Sequence, residues 1–306
     1  MRVLVTGATG FVGHAVVSAL ADRGHVVIAL SRHERDVPAK ADRHISADIR
    51  SADAMAEAVG DVDAVCHLAA LARVRESFAE PLEYWRTNLD GTLNVLAALS
   101  ASASPKRLVV SSTAAVYGTP ERQPIAEDQP PSPGNPYAAT KFAADLATAN
   151  VAATGAIGAV SLRAFNIAGA SHGRGDPDET RLIPKIIAVQ ADRAPELVVN
   201  GDGSAVRDFV HVDDMADAFC RALESCTPGE WRAYNIGSGR RTSVRKVLTV
   251  AEAVTGSPVA ARHAPPANEP PVLLADSTRA QQELGWKPAH SELTRILSDA
   301  WQNRPE

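Results

Sequence analysis

Short runs of aliphatic and β-branched residues alternate along the chain with segments whose apolar positions recur every three to four residues, so the pattern predicts strands that feed helices. Arg2-Val3-Leu4-Val5-Thr6 is the first run. It meets Gly7-Ala8-Thr9-Gly10-Phe11-Val12-Gly13, after which Val12, Val16 and Leu20 mark a helix from about Phe11 to Arg23, stopped by Gly24. His25 to Leu30 reads as the next strand and completes a βαβ unit. Asp63 to Ala70 and Arg107 to Thr113 are near-continuous apolar runs ending in small or polar residues, as a parallel sheet covered on both faces requires. The expected fold is α/β, a Rossmann-type doubly wound parallel sheet in residues 1–168 with a smaller α/β substrate-binding lobe in 169–306. Segments around 205–240 are expected to return to the first domain.

Later elements are read the same way. Arg181 to Ile187 starts a helix with Pro184 near its first turn, and Leu197 to Asn200 is a strand. Val210 to Glu224 is a strand end followed by a helix, and Tyr234 to Gly239 a turn after a short strand. Helices follow over Thr242 to Gly256, with Ser243 as a cap, and over Asp276 to Leu284 and Ser291 to Gln302. Pro265 to Pro271 is expected to be an ordered loop near a ligand.

Two local features carry chemistry. Gly7, Gly10 and Gly13 permit a tight turn and let backbone N–H groups, those of Phe11 and Val12 included, approach a pyrophosphate at a helix N-terminus. Tyr137 and Lys141 stand four apart on a predicted helix, hence on one face, and Ser111-Ser112-Thr113 closes a strand where ligands of such sheets bind. An ammonium near a phenol favours the phenolate, so Tyr137 is expected to titrate toward neutrality and act as a base on an alcohol. A solvent-facing helix that happens to carry both residues is the plain alternative. For Ser111 and Ser112, satisfying backbone groups at the strand end is as good a reading as a direct role.

Composition bounds these readings. The 306 residues are 45% hydrophobic and 22% charged, enough for one nucleotide-binding domain plus a lobe around a large core. A formal charge of −5 argues against a nucleic-acid surface. The first apolar stretch is too short, and too broken by glycine, for a signal peptide or a membrane span. Cys66, Cys220 and Cys226 lack metal-ligand spacing and fit reduced thiols in the cytoplasm, so no metal is expected.

With Gly7-x-x-Gly10-x-x-Gly13, Asp48-Ile49-Arg50, His67-Leu68-Ala69-Ala70, Asn88-x-x-Gly91-Thr92, Ser111 to Gly118, Tyr137-x-x-x-Lys141, Leu162 to Ala170 and Arg207 to Asp214, the chain resembles the extended short-chain dehydrogenase/reductase family. Within it, the chain looks like the UDP-glucose 4-epimerase group of NAD-dependent sugar-nucleotide enzymes. That resemblance implies that Asp48 and Ile49 hold the adenine, that Leu68, Ala69 and Ala70 line the cofactor path with Ser111, and that Asn88 supports them. Lys141 would bond the nicotinamide ribose, and Thr113 the hydroxyl at the reacting carbon. Asn166 and Arg207 would meet the diphosphate and Leu182 the nucleobase; Val198, Asn200, Arg181 and Glu269 complete the substrate set. The implied reaction takes a proton from the sugar 4-hydroxyl onto Tyr137 and a hydride from C4, turns the 4-keto sugar over, and returns hydride to its other face. The implied substrate is a UDP-hexose and the implied assembly a homodimer through the helices around Asn88 to Ser100 and Tyr137 to Ala152, although packing within one subunit explains their composition equally.

Departures matter as much. The family's dehydratases carry Asp-Glu after the catalytic Thr; Ala114-Ala115 here has no proton to give, which argues against dehydration. Ser31-Arg32 replaces the acidic residue that NAD-preferring relatives place after the second strand, leaving NADP open beside NAD. The phosphate-binding arginine of relatives is missing before Asp276, with Arg181, Arg262 and Arg174 as replacements. A 4-ketoreductase and a non-catalytic nucleotide-binding protein remain the alternatives.

Overall fold

In the computed structural model, which describes residues 1–266 and 269–304, strand and helix alternate through the first half of the chain. The elements run β1 (Arg2–Thr6), α1 (Phe11–Asp22), β2 (Val26–Ser31), β3 (Arg43–Ser46), α2 (Ala52–Val59), β4 (Ala64–His67), α3 (Val74–Ala79), α4 (Pro81–Tyr84), a π-helical turn (Trp85–Asp90) and α5 (Gly91–Ser100). Next come β5 (Lys106–Thr113), a 3₁₀ turn (Ala114–Tyr117), α6 (Pro136–Ala152) and β6 (Ile157–Ala164). The second half holds β7 (Asn166–Ala168), β8 (Ala170–Ser171), β9 (Arg174–Gly175), α7 (Leu182–Gln190), β10 (Leu197–Asn200), β11 (Val206–Arg207) and β12 (Phe209–His211). It closes with α8 (Val212–Ser225), β13 (Trp231–Ile236), β14 (Thr242–Ser243), α9 (Val244–Thr255), β15 (Ala261–Ala264), α10 (Thr278–Glu283) and α11 (Leu293–Gln302).

Seven strands form one parallel sheet in the order β13-β6-β5-β4-β1-β2-β3. The order reverses between β1 and β4, and a crevice opens there beyond the strand ends. Both faces are covered: Val3 and Val5 of β1 pack into a core shared with α1 and α8, while Leu4 between them enters a second core with α2 and α5. Each fully buried valine or leucine contributes about 1.5–3 kcal/mol of burial energy. That two-sided burial is why these strands read as unbroken apolar runs.

A third core, including Ile186 of α7, Val247 of α9 and Leu297 of α11, builds the smaller lobe around the β10–β15 pair. Ser243 caps α9, its Oγ accepting from the Lys246 N–H at 3.2 Å. Beside the main sheet, β7 pairs with β12 and β11 with β14, which sets Asn166 opposite Phe209, two residues after Arg207 in the chain. Ala267 and Asn268, in the proline-rich segment, lie outside the described residues. Among the described residues no helix is long and apolar enough to cross a membrane.

Candidate active site

The dinucleotide turn is tied to the neighbouring strand by one hydroxyl. Thr6 Oγ1 accepts from the N–H groups of Leu68 and Ala69, both at 3.2 Å, and stands 2.8 Å from His67 Nδ1. The Thr92 hydroxyl donates to the Asn88 carbonyl at 2.6 Å, so it accepts from His67 Nε2 at 3.1 Å. These bonds require a neutral imidazole protonated at Nε2, and burial pushes its pKa down to about 3. Gly7 has φ +69° and a Cβ there would lie 2.7 Å from the Ala69 nitrogen; a Cβ on Gly13 would lie 2.1 Å from the Gly7 oxygen. Gly10 caps α1 without a side chain. The result is a shallow cradle facing an open helix N-terminus, which fits a pyrophosphate. Leu68, Ala69 and Ala70 follow at its rim, half-buried.

At the adenosine end, Ser31 Oγ donates to the His33 carbonyl at 2.6 Å and stands 2.9 Å from His44 Nε2. Arg32 is exposed and makes no ion pair among the described residues. Asp48 is held by Arg50 at 2.7 Å, which keeps its carboxyl below the ordinary range. Ile49 is buried against Gly91, where a Cβ would come within 2.5 Å of its Cδ1.

Thr113 ends β5 and Tyr137 sits in the first turn of α6. Asn135 fixes that turn, its Oδ1 accepting from the Ala138 N–H at 2.8 Å, with Pro136 as the first helical residue. Lys141 is buried and donates from Nζ to the Ser111 carbonyl at 2.9 Å. The ring of Tyr84 meets Tyr137 edge-on at 6.5 Å between centroids, and its hydroxyl donates to the Arg73 carbonyl at 2.6 Å. Asn88 is buried, bonded to Leu71 through both its N–H and C=O at 2.8 and 3.0 Å, and donates to Thr140 at 3.1 Å.

One expectation is overturned. The phenol of Tyr137 is not drawn toward neutrality: burial raises its pKa, opposed by the Thr113 hydroxyl and the charge of Arg181. Lys141 spends its bond on Ser111 and is itself pushed down to about 8 by burial, with Asp145 acting the other way. Desolvation outweighs the neighbouring charge for both groups. Ser112 also departs from the backbone-satisfying reading, since its Oγ donates to the Asp145 carboxylate at 3.1 Å.

The residues expected to hold a nucleotide divide into groups. Arg207 donates to Glu269 at 2.6 Å and to the Pro270 and Val206 carbonyls at 2.9 Å, and Asn200 donates to the same Glu269 at 3.3 Å. Asn166 is exposed, its N–H on the Asp208 carbonyl at 3.0 Å. Val198 is exposed on β10, whereas Leu182 is half-buried at the start of α7. Arg181 precedes it, paired with Asp176 at 3.0 Å and Asp178 at 3.6 Å; Arg73 joins from the other side at 3.2 Å. Of the three replacement arginines, Arg262 is paired with Glu196 at 2.8 Å and Arg174 reaches the dinucleotide turn at Thr9, 2.8 Å. Arg181 is the one whose charge acts on Tyr137.

Sequence reasoning missed the π-helical turn that carries Asn88, the Tyr84 ring against Tyr137, and the buried Asp145–Arg163 ion pair at 3.1 Å. Only Asp145 left a signal, a charged residue at the next i+4 position after Lys141 on an Ala-rich helix.

Comparison with known proteins shows what the chain is similar to. Residues 3–237 match the model of the NAD dependent epimerase/dehydratase family. UDP-glucose 4-epimerase of Corynebacterium glutamicum is 40% identical, covering 98% of this chain and 95% of that protein; the Streptomyces lividans enzyme of the same name is 39% identical over the same shares. Among solved structures, UDP-glucose 4-epimerase of Brucella ovis in complex with NAD superposes with a TM-score of 0.93 at 33% identity, covering 98% of this chain and 97% of that one. The Stenotrophomonas maltophila enzyme with bound NAD and formylated UDP-arabinopyranose gives 0.92 at 34% identity, covering 99% and 97%.

Proposed function

The chain belongs to the NAD dependent epimerase/dehydratase family, and we propose that it is a nucleotide-sugar 4-epimerase that interconverts UDP-glucose and UDP-galactose. The observation that carries the reading is the meeting of Thr113, Tyr137 and Lys141 at the carboxyl edge of β5, followed by Ala114 and Ala115, which bring no acid. That set suits oxidation and re-reduction of a secondary alcohol and lacks the proton donor that elimination needs.

Bound in the glycine cradle, with Asp48, Ile49, Leu68, Ala69, Ala70 and Asn88 along its length, NAD supplies reversible hydride acceptance from the sugar C4. Tyr137 takes the proton of the 4-hydroxyl and gives it back after the keto sugar has turned. Thr113 bonds that hydroxyl and holds it against the phenol. Lys141 carries the positive charge that favours the phenolate as the proton moves. Arg207 leaves Glu269 for the diphosphate, where a guanidinium offers paired donors, and Asn166 and Arg181 add further donors. Leu182, Val198 and Asn200 border the nucleobase, and Glu269 accepts from the nucleoside. Arg32 gives the adenosine end room for NADP as well. We assign the enzyme to the cytoplasm as a homodimer whose contact includes the exposed Leu93 of α5 and Leu146 of α6.

Purified enzyme incubated with UDP-glucose and no added cofactor is expected to form UDP-galactose, read by NMR of the anomeric protons, and to release NAD on denaturation. Net consumption of NADPH with a 4-keto sugar nucleotide, without epimer formation, would identify a reductase instead.

A further inference from the structure

Beneath Thr113, Tyr137 and Lys141 lies a buried polar chain that the reaction derived above does not use. Asp145 sits one helical turn after Lys141 on α6, so the two side chains leave the same face. Its Oδ2 accepts from Ser112 Oγ and from Arg163 Nε, both at 3.1 Å, and the two charged side chains are 1% and 5% exposed. Arg163 Nη1 donates onward to the Tyr117 hydroxyl at 3.0 Å, and that hydroxyl donates to Asn235 Oδ1 at 2.7 Å. Among the described residues the second carboxylate oxygen, Oδ1, is buried without a hydrogen-bond partner.

A pair this deeply buried is poor value as scaffolding, because an apolar pair of similar volume holds a core as well or better. Its connections lead to the chemistry. Ser112 stands between Ser111, whose carbonyl takes the Lys141 ammonium at 2.9 Å, and Thr113. We propose that Asp145 is a positioning residue: it is the buried counter-charge that keeps Lys141 an ammonium on the Ser111 carbonyl, and through Ser112 it fixes the strand end that carries Thr113. The role of Lys141 in this proposal rests on the epimerase reading above.

The surrounding groups leave that task to Asp145. Lys141 is faced by neutral His67 from β4 and by the Ser111 carbonyl from β5, with Tyr137 one turn before it on α6; around Asp145 stand Ser112 of β5, Ser161 and Arg163 of β6 and, beyond Arg163, Tyr117. Among the described residues Asp145 is the one carboxylate acting on Lys141, and it opposes the burial that pushes the ammonium down to about 8. Burial raises the Asp145 carboxyl too, but the guanidinium at 3.1 Å cannot give up its proton and holds the carboxylate ionised.

The test uses the full chain with lysine labelled at Cε and Nζ. The Lys141 resonance is identified by its loss in Lys141→Met, and its titration is followed beside the pH profile of kcat/KM. Because Asp145→Asn alone leaves a guanidinium buried and unpaired, the double variant Asp145→Asn, Arg163→Gln is measured with it. In both, the Lys141 midpoint and the pH at which kcat/KM levels off are expected to move down by about one pH unit or more, with KM at pH 7 unchanged. A Lys141 titration equal to the parent's, with only the melting temperature lowered, would make Asp145 a structural residue and overturn the proposal. If the titration moves while the parent enzyme epimerises nothing, the counter-charge role stands and the reading of the reaction falls.

Discussion

The two ends of the cleft are built on opposite plans. At the sheet end, Thr113, Tyr137 and Lys141 stand on β5 and α6 with their neighbours locked: Asn135 caps the helix, Ser111 holds the ammonium, and Asn88 pins the adjoining loop from a buried position. At the lobe end, Arg207 and Asn200 share the exposed Glu269, and Arg181 is engaged by Asp176 and Asp178. A reacting group must already be placed when the substrate arrives, since misplacement is felt in the barrier itself. A binding group can trade one anionic partner for another at modest net cost, because the pair it leaves and the pair it forms are alike in kind. Substitutions at the sheet end should therefore act on kcat and those at the lobe end on KM.

The largest effect is expected at Tyr137. Tyr137→Phe removes the hydroxyl and little else, so kcat should fall about 10²–10⁴-fold while KM and the melting temperature stay near the parent's. Turnover equal to the parent's would remove Tyr137 from the reaction and collapse the contrast between the two ends. Arg207→Gln comes next and tests the other plan. Losing a charge-assisted contact to a diphosphate should raise KM about tenfold to a hundredfold and leave kcat within about twofold. A fall in kcat with unchanged KM would mean that the lobe end also shapes the transition state.

These two residues also mark what was legible in the sequence. The glycine turn, the strand runs and the Tyr137–Lys141 spacing are local patterns, and periodicity reports them because the sheet buries both faces and the helix repeats every 3.6 residues. Arg207 and Glu269 are 62 positions apart, and Ser112 and Asp145 are 33 apart, so only the folded chain brings them together. Spacing also gave nearness without consequence: it set Lys141 beside Tyr137, but where the ammonium points and how much water each group loses depend on residues from other strands. Hence the shift of the phenol came out with the opposite sign.

Protonation supplies the third test, of intermediate size. Tyr137 must be a phenolate and Lys141 an ammonium to act, and burial raises the pKa of the phenol while bringing that of the lysine down to about 8. So kcat/KM should climb about tenfold per unit below that pH and level off above it, where the alkaline limb of the lysine cancels the gain in phenolate. In kcat the limb should lie at higher pH, because the bound diphosphate stabilises the ammonium. Stopped-flow or coupled assays across pH 6–10 would show this. A limb in the same place for both parameters would mean that the lobe end, once loaded, does not communicate electrostatically with the sheet end.

Glu269 should show the smallest change and divides the lobe end most finely. In the structure it neutralises Arg207 and accepts from Asn200. On binding it is expected to give up the arginine and accept from the nucleoside instead, two roles that pull in opposite directions. Glu269→Gln frees Arg207 for the diphosphate, which lowers KM, and weakens the acceptor to the nucleoside, which raises it. Arg207 is largely buried and Glu269 exposed, and the two contributions oppose each other, so KM should shift by less than about threefold, with kcat unchanged. Salt separates the contributions: the parent's KM reflects breaking the Arg207–Glu269 pair, whereas the variant has no pair to break and should lose affinity more steeply as ionic strength rises. Equal salt slopes would show that Arg207 is already free of Glu269 in solution, and the lobe end would then be as preorganised as the sheet end.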